Sequence, residues 1–286
     1  MVPDRELGLS DDVTGEHVFG FQELFNRSDK AGIANRLKLL IAKAGGARIV
    51  MSAENLSNGT NFQYFRDVLA ELDCQVLIYI RRQDELLTSS WQQWHSKGQT
   101  DLNAWLILAL QRLGHWQRCI EGWESVAGTG NVTVRPFQKS DLAKGDVVDD
   151  FLAALGIEAG ADDYARAAAL VNPSYSDIIT PIVSGNRFIF QHPHDHRFYS
   201  MVGALTAEAY VTQRRVSLIT REQRESIVEY YRPQNETVCR RYFPGRQRLF
   251  DPVDHAKYEY LTAEELQQRQ LGFLASLIYA LYNAKR

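Results

Sequence analysis

The amino-acid sequence predicts an α/β protein with a parallel β-sheet and a helical C-terminal cap. Three observations carry that expectation. Two β-branched apolar runs, ARIVMSAE (47–54) and CQVLIYI (74–80), flank an amphipathic segment. Strands in that order are parallel, with a right-handed crossover in nearly every known case. A third such run, NVTVRPF (131–137), follows after more helical pattern, and beyond about Ala159 the strand signal fades into helical periodicity.

Element by element, residues 28–44 read as a helix. Ser28 or Asp29 is its cap, Ile33, Leu37, Leu40 and Ile41 share one face, and Gly45-Gly46 is the stop. ARIVMSAE then reads as a buried strand, NFQYFRDVLAEL (61–72) as an amphipathic helix and CQVLIYI as a second strand. Helices are expected over 84–96, 101–113 and 116–126, then the third strand, then a helix in DVVDDFLAALGI ending at Gly156. The cap is expected to carry helices over 175–186, 198–214, 220–231, 235–242 and 263–282. The expected organisation is a core over 1–160 and a helical subdomain over 161–286 packed on it.

Composition narrows the function. The 286 residues, 45% of them hydrophobic, suffice for a large core. A net charge of -3 and a pI near 6.2 give no basic field, so nucleic acid is not an expected partner and any anion site must be local. Cys74, Cys119 and Cys239 form no CxxC, and their apolar or helical settings fit buried thiols in a reducing cytoplasm. The acidic start MVPDRELGLSDD lacks a signal pattern. The longest apolar run, Ala104 to Leu110, is far short of the roughly 20 residues of a spanning helix, so a cytoplasmic chain off the membrane is expected.

The most informative stretch is VLIYIRRQDELLTSSWQQW (76–94). In an open parallel sheet, ligands collect beyond the carboxyl ends of the strands, and Arg81 and Arg82 leave the strand there. A guanidinium offers a planar fork of donors to phosphate or sulfate, and the helix that follows turns its first N–H groups the same way. Ser90 lies eight residues after Arg82, two turns on. The other account is an ordinary strand-to-helix junction whose arginines are solvated or pair with Asp84 and Glu85.

YIRRQDELLTSSWQQ (79–93) resembles the 3′-phosphate-binding segment of sulfotransferases that use 3′-phosphoadenosine 5′-phosphosulfate (PAPS). In that segment an apolar strand ends in Arg, and a Ser with an aromatic beside it follows eight residues later; Arg82, Ser90 and Trp91 fall on those positions. IVMSAENLS, NVTVRPFQKSDLAKGDVVDDFLAALGI, NPSYS and RRYFPGRQRLF are similar to other segments of the bacterial family, in order. The resemblance covers residues 48–160 well and the remainder loosely. It implies a P-loop NTPase-like sheet, PAPS as co-substrate without a metal, and a carbohydrate or small hydroxylated acceptor. It also implies a Lys- and Thr-bearing glycine turn gripping the 5′-phosphosulfate. Nothing in the chain matches that turn. Truncation of an active enzyme is expected ahead of a natural variant that lost the chemistry, and the chain as given is expected to be nearly inactive. Lacking a first strand, it is expected to expose a sheet edge and to self-associate, as a homodimer for example.

Sulfuryl transfer needs a base for the acceptor proton. Glu54, leaving its strand in MSAEN, is the first choice and His17 the second; Arg135, at the end of NVTVRPF, is a further nucleotide contact. For each, a capping, packing or ion-pairing role stands as the plainer alternative. HPHDH places His192, His194 and His196 at alternate positions, but Pro193 and Asp195 favour a loop over a metal comb. Arg240, Arg241 and Arg246 form a basic cluster, read as a solvated helix end before a Pro-Gly turn ahead of a role in assisting the 3′-phosphate. A non-catalytic nucleotide- or glycan-binding protein is the rival to the enzyme.

Overall fold

The computed structural model describes residues 29–46, 48–52, 54–57, 59–70, 72–98, 101–157, 177–192, 195–205 and 216–284. His17, His194 and the expected boundary near residue 160 lie outside them. The chain divides into two compact units. The described residues of 1–80, 115–135 and 237–245 form the first, and those of 81–114, 136–236 and 246–286 the second.

In the first unit, helix α1 (Lys30–Ala44) starts where the Asp29 carboxylate accepts from Gly32 N–H at 2.8 Å and stops at Gly45, whose φ of 58° is left-handed. Ile33 and Leu37 are its buried residues. The amphipathic segment after it is shorter than expected, a 3-10 turn over Asn61–Phe65 leading into a single turn, α2 (Arg66–Leu69). Strand β1 (Val76–Ile80) and strand β2 (Val132–Pro136, its last residue in the second unit) form a two-stranded parallel sheet. The Gln75 amide donates to Asn131 at 3.0 Å just ahead of both strands, and Ile78, Ile80, Val132 and Val134 are buried. A two-stranded pair is marginal alone, so packing of helices must stabilise it. Helix α5 (Trp116–Ala127) contributes: the Trp123 ring lies tilted 5.4 Å from that of Phe65, and its indole donates to the Leu56 carbonyl at 3.2 Å. Gly122 lets Phe62 approach so closely that a Cβ there would sit 2.4 Å from the ring.

ARIVMSAE is the clear departure. Residues 48–52 form no strand, and Glu54–Ser57 is a 3-10 turn. A β-branched run becomes a strand only where a neighbouring backbone supplies the ladder. The parallel partner of β1 is therefore β2, and the connection between them carries helices instead of the compact strand–helix–strand unit. The mixed α/β class stands, helix-dominated and with a small sheet.

The second unit is helical. It contains α3 (Gln83–Gln93), α4 (Leu102–Leu110), α6 (Val147–Ala154), α7 (Ile179–Val183), α8 (Arg197–Leu205), most of α9 (Arg221–Tyr242) and α10 (Ala263–Ala284). Asp101 caps α4 and Asp146 caps α6, each carboxylate accepting two backbone N–H groups of the first turn. One core joins Leu87 and Trp91 of α3, Trp105 and Leu106 of α4, Ile219, and Ile227 and Tyr231 of α9. A second core joins Ile179 and Val183 of α7, Phe190, Tyr199 and Val202 of α8, and Phe273 of α10. Among the described residues, no helix is long and apolar enough to cross a membrane.

Candidate functional site

Helix α3 begins immediately after Arg82, whose φ of -57° and ψ of 133° make it the extended residue before the first turn. Asp84 and Glu85 lie in that first turn, where the helix dipole favours negative charge. Both carboxylates turn back onto the arginines. Arg82 reaches Asp84 through Nε at 2.6 Å and Nη2 at 3.2 Å, and Glu85 at 2.8 Å; its Nη1 donates to the Asp251 carbonyl at 3.3 Å. Arg81 pairs with Glu85 at 3.3 Å. Burial pulls the Arg82 pKa down, but the hydrogen bond and charge of Asp84 and the charge of Glu85 outweigh it, so the group is held above its ordinary value.

The far side of Asp84 is closed by a residue 140 positions away in the chain. Arg224 Nη1 donates to Asp84 at 2.5 Å, its Nη2 donates to Ser217 Oγ at 2.9 Å, and its guanidinium lies 3.8 Å over the Tyr258 ring. Asp84 and Arg224 are both buried, and Arg224 Nε is a buried donor without a hydrogen-bond partner. The named cluster thus sets three guanidinium groups, Arg81, Arg82 and Arg224, against the carboxylates of Asp84 and Glu85, with Asp177 also within the field of Arg224.

The other expected residues separate. Ser90, half-buried, is on α3 two turns from Arg82. Trp91, expected beside the nucleotide, is 2% exposed and packed in the core among Leu87, Trp105 and Leu106, with its Nε1 unpartnered. Glu54 is exposed at the start of its 3-10 turn, and Arg135 is half-buried in β2. These two belong to the first unit, whereas Arg81, Arg82, Ser90 and Trp91 belong to the second. Of the basic cluster, Arg241 pairs with Glu124 at 2.7 Å and Arg246 with Asp141 at 2.5 Å, and Arg240 donates to the Thr237 hydroxyl at 3.4 Å.

Set against protein-family models, curated proteins and solved structures, the chain matches none of them. Its chemistry has to be read from these side chains.

A second polar centre was not visible in the sequence. Lys97, buried in the turn after α3, places Nζ 3.3 Å from His196 Nδ1 and 5.9 Å from the centre of the Trp94 ring. Burial drives the lysine down to about 8, against a smaller opposite pull from the charge of Asp195. Asp195 itself is gripped by Arg197 and by the backbone N–H groups of Gln191 and Arg197, which hold its carboxyl well below the usual range. Among the described residues, no group of three or more His, Cys, Asp or Glu could hold a metal ion.

The depressed lysine has a sign. Between about pH 8 and the ordinary value of 10.5, the unfolded chain binds a proton at Lys97 that the folded chain does not, so this residue makes stability rise with pH there. Lys97→Met is expected to raise the melting temperature at pH 7, with an advantage that shrinks as pH climbs from 8 to 10. A pH-independent difference between variant and parent would refute the burial account.

Proposed function

We propose that the chain is a sulfotransferase-like protein whose donor site, for PAPS, is built on the junction between β1 and α3. The observation that carries this reading is the convergence of Arg81 and Arg82 where the strand gives way to the helix, with Ser90 two turns further on. Arg224 is sealed in, so a phosphate would meet the half-exposed Arg81 and the 12% exposed side chain of Arg82. Each charge-assisted hydrogen bond contributes about 1.5–3 kcal/mol, so two or three hold a nucleotide phosphate. In a form that also carries the turn gripping the 5′-phosphosulfate, an acceptor oxygen of a carbohydrate or small hydroxylated metabolite bonds to sulfur. The bond from sulfur to adenosine 3′,5′-bisphosphate breaks, and a base takes the acceptor proton.

Calorimetry with adenosine 3′,5′-bisphosphate tests the donor site. Micromolar binding is expected, weakened about 10- to 100-fold in Arg81→Ala and about 10-fold in Ser90→Ala. Those two variants are the informative ones, because Arg82→Ala also unpairs Asp84 and its loss of binding must be read beside its melting temperature. A second reading is favoured by the occupancy of Arg82: its guanidinium already meets two carboxylates and a carbonyl, as in a purely structural lock. The chain is then a non-catalytic interaction protein, and a folded sample that takes up no nucleotide decides for it.

A further inference from the structure

We propose that the C-terminal half of α10 is the surface through which two copies of this chain associate. One side of α10 is already used: Phe273, 1% exposed, enters the core of α7 and α8 with Leu277 packed against it, and the Gln270 amide donates to the Ile178 carbonyl. A helix that needs only this contact should be polar elsewhere. Instead Leu271, Leu274, Ile278 and Leu281 are 53%, 37%, 67% and 39% exposed, joined by Tyr282 at 54% and flanked by Tyr279 at 69%. Ile278 lies about 140° round the helix from Phe273, so this is a second apolar stripe and not the margin of the first.

Its spacing and size indicate the occupant. Steps of three, four and three residues are the 3.5-residue repeat that lets two like helices interlock along a seam, here over two heptads. Side chains this exposed offer about 500–600 Å² together, the upper end of the largest apolar patch on an ordinary monomer and most of the ~800 Å² each partner buries in a standard interface. The segment Leu271–Ala284 contains no charged residue, which leaves nothing for a charged partner to complement. A membrane surface fits less well, because interfacial helices carry a lysine- and arginine-rich polar face, and the polar turns of α10 hold Glu264, Glu265 and a single Arg269. A two-fold axis across the stripe places it against itself, the self-complementary arrangement of most homodimers.

The test is the mass of the full chain in solution, by light scattering on a sizing column over a wide concentration range. Twice the 32.6 kDa of one chain is expected, falling to one chain on dilution. Leu274→Glu/Ile278→Glu, at two exposed positions, is expected to weaken association about a hundredfold or more with unchanged circular dichroism and melting temperature. A parent that stays monomeric at every concentration overturns the proposal. So does a dimer indifferent to the double substitution, or a monomer that floats with phosphatidylglycerol vesicles until the same substitutions are made. None of these outcomes depends on nucleotide binding.

Discussion

Asp84→Ala is expected to lower the unfolding free energy by about 3–5 kcal/mol, the penalty for stranding a buried charge whose partner has been removed. The size follows from asymmetry in the pair. Arg82 keeps Glu85 and some access to water, so it loses little. Arg224 has a side chain only 3% exposed and has Asp84 as its ion-pair partner at 2.5 Å, and after the substitution its charge would rest on Ser217, the face of Tyr258 and the more distant Asp177. Removing both charges is a different experiment. Asp84→Leu combined with Arg224→Met takes away the cost of burying either ion and is expected to recover most of the loss. Urea unfolding of the parent, Asp84→Leu, Arg224→Met and the double closes a cycle whose interaction energy should reach about 3 kcal/mol. Strictly additive losses would mean that the two side chains do not hold each other.

The helices and strands that were legible in the sequence are those with local punctuation. Asp29 and Gly45-Gly46 bound α1, Asp101 and Asp146 open α4 and α6, and polar residues bound the apolar run of β1. What local pattern could not supply was partnership. Residues 48–52 have strand composition but no ladder, and Asp84 meets an arginine 140 positions away. The helices expected separately over 220–231 and 235–242 are one, with Pro233 inside it. Such a residue favours a break, since a helical proline removes a hydrogen bond and crowds the preceding turn. Nevertheless α9 runs through it, because the next two residues are held from outside the helix. Gln234 donates to the Gly114 carbonyl at 3.3 Å, and Asn235 exchanges hydrogen bonds with the buried Gln83 at 2.8 and 3.0 Å. The junction at Arg81-Arg82 was legible as an anion site or as an ion-pair lock, and the structure shows the pairing with Asp84 and Glu85.

Trp91 separates those readings, because its two substitutions pull in different directions. Trp91→Ala is expected to cost about 3–5 kcal/mol, the usual penalty for emptying an aromatic site in a core that cannot collapse around it. Its neighbours on α4 and α9, with Leu87 one turn back, already fill their places. Trp91→Phe should cost much less than the lost volume suggests. The indole Nε1 is buried without an acceptor, and a buried unsatisfied donor carries a penalty of about 1–3 kcal/mol. Phenylalanine removes that donor along with part of the ring, so the two changes largely offset, and a shift within about 1 kcal/mol is expected in urea unfolding. The same variant bears on the ligand. With Trp91 sealed in the core, Trp91→Phe should leave the affinity for adenosine 3′,5′-bisphosphate unchanged while Ser90→Ala, one residue away, weakens it. If Trp91→Phe kept its stability but lost affinity, the ring would have to face the nucleotide, and the packing of α3 against α4 and α9 would have to be different with nucleotide bound.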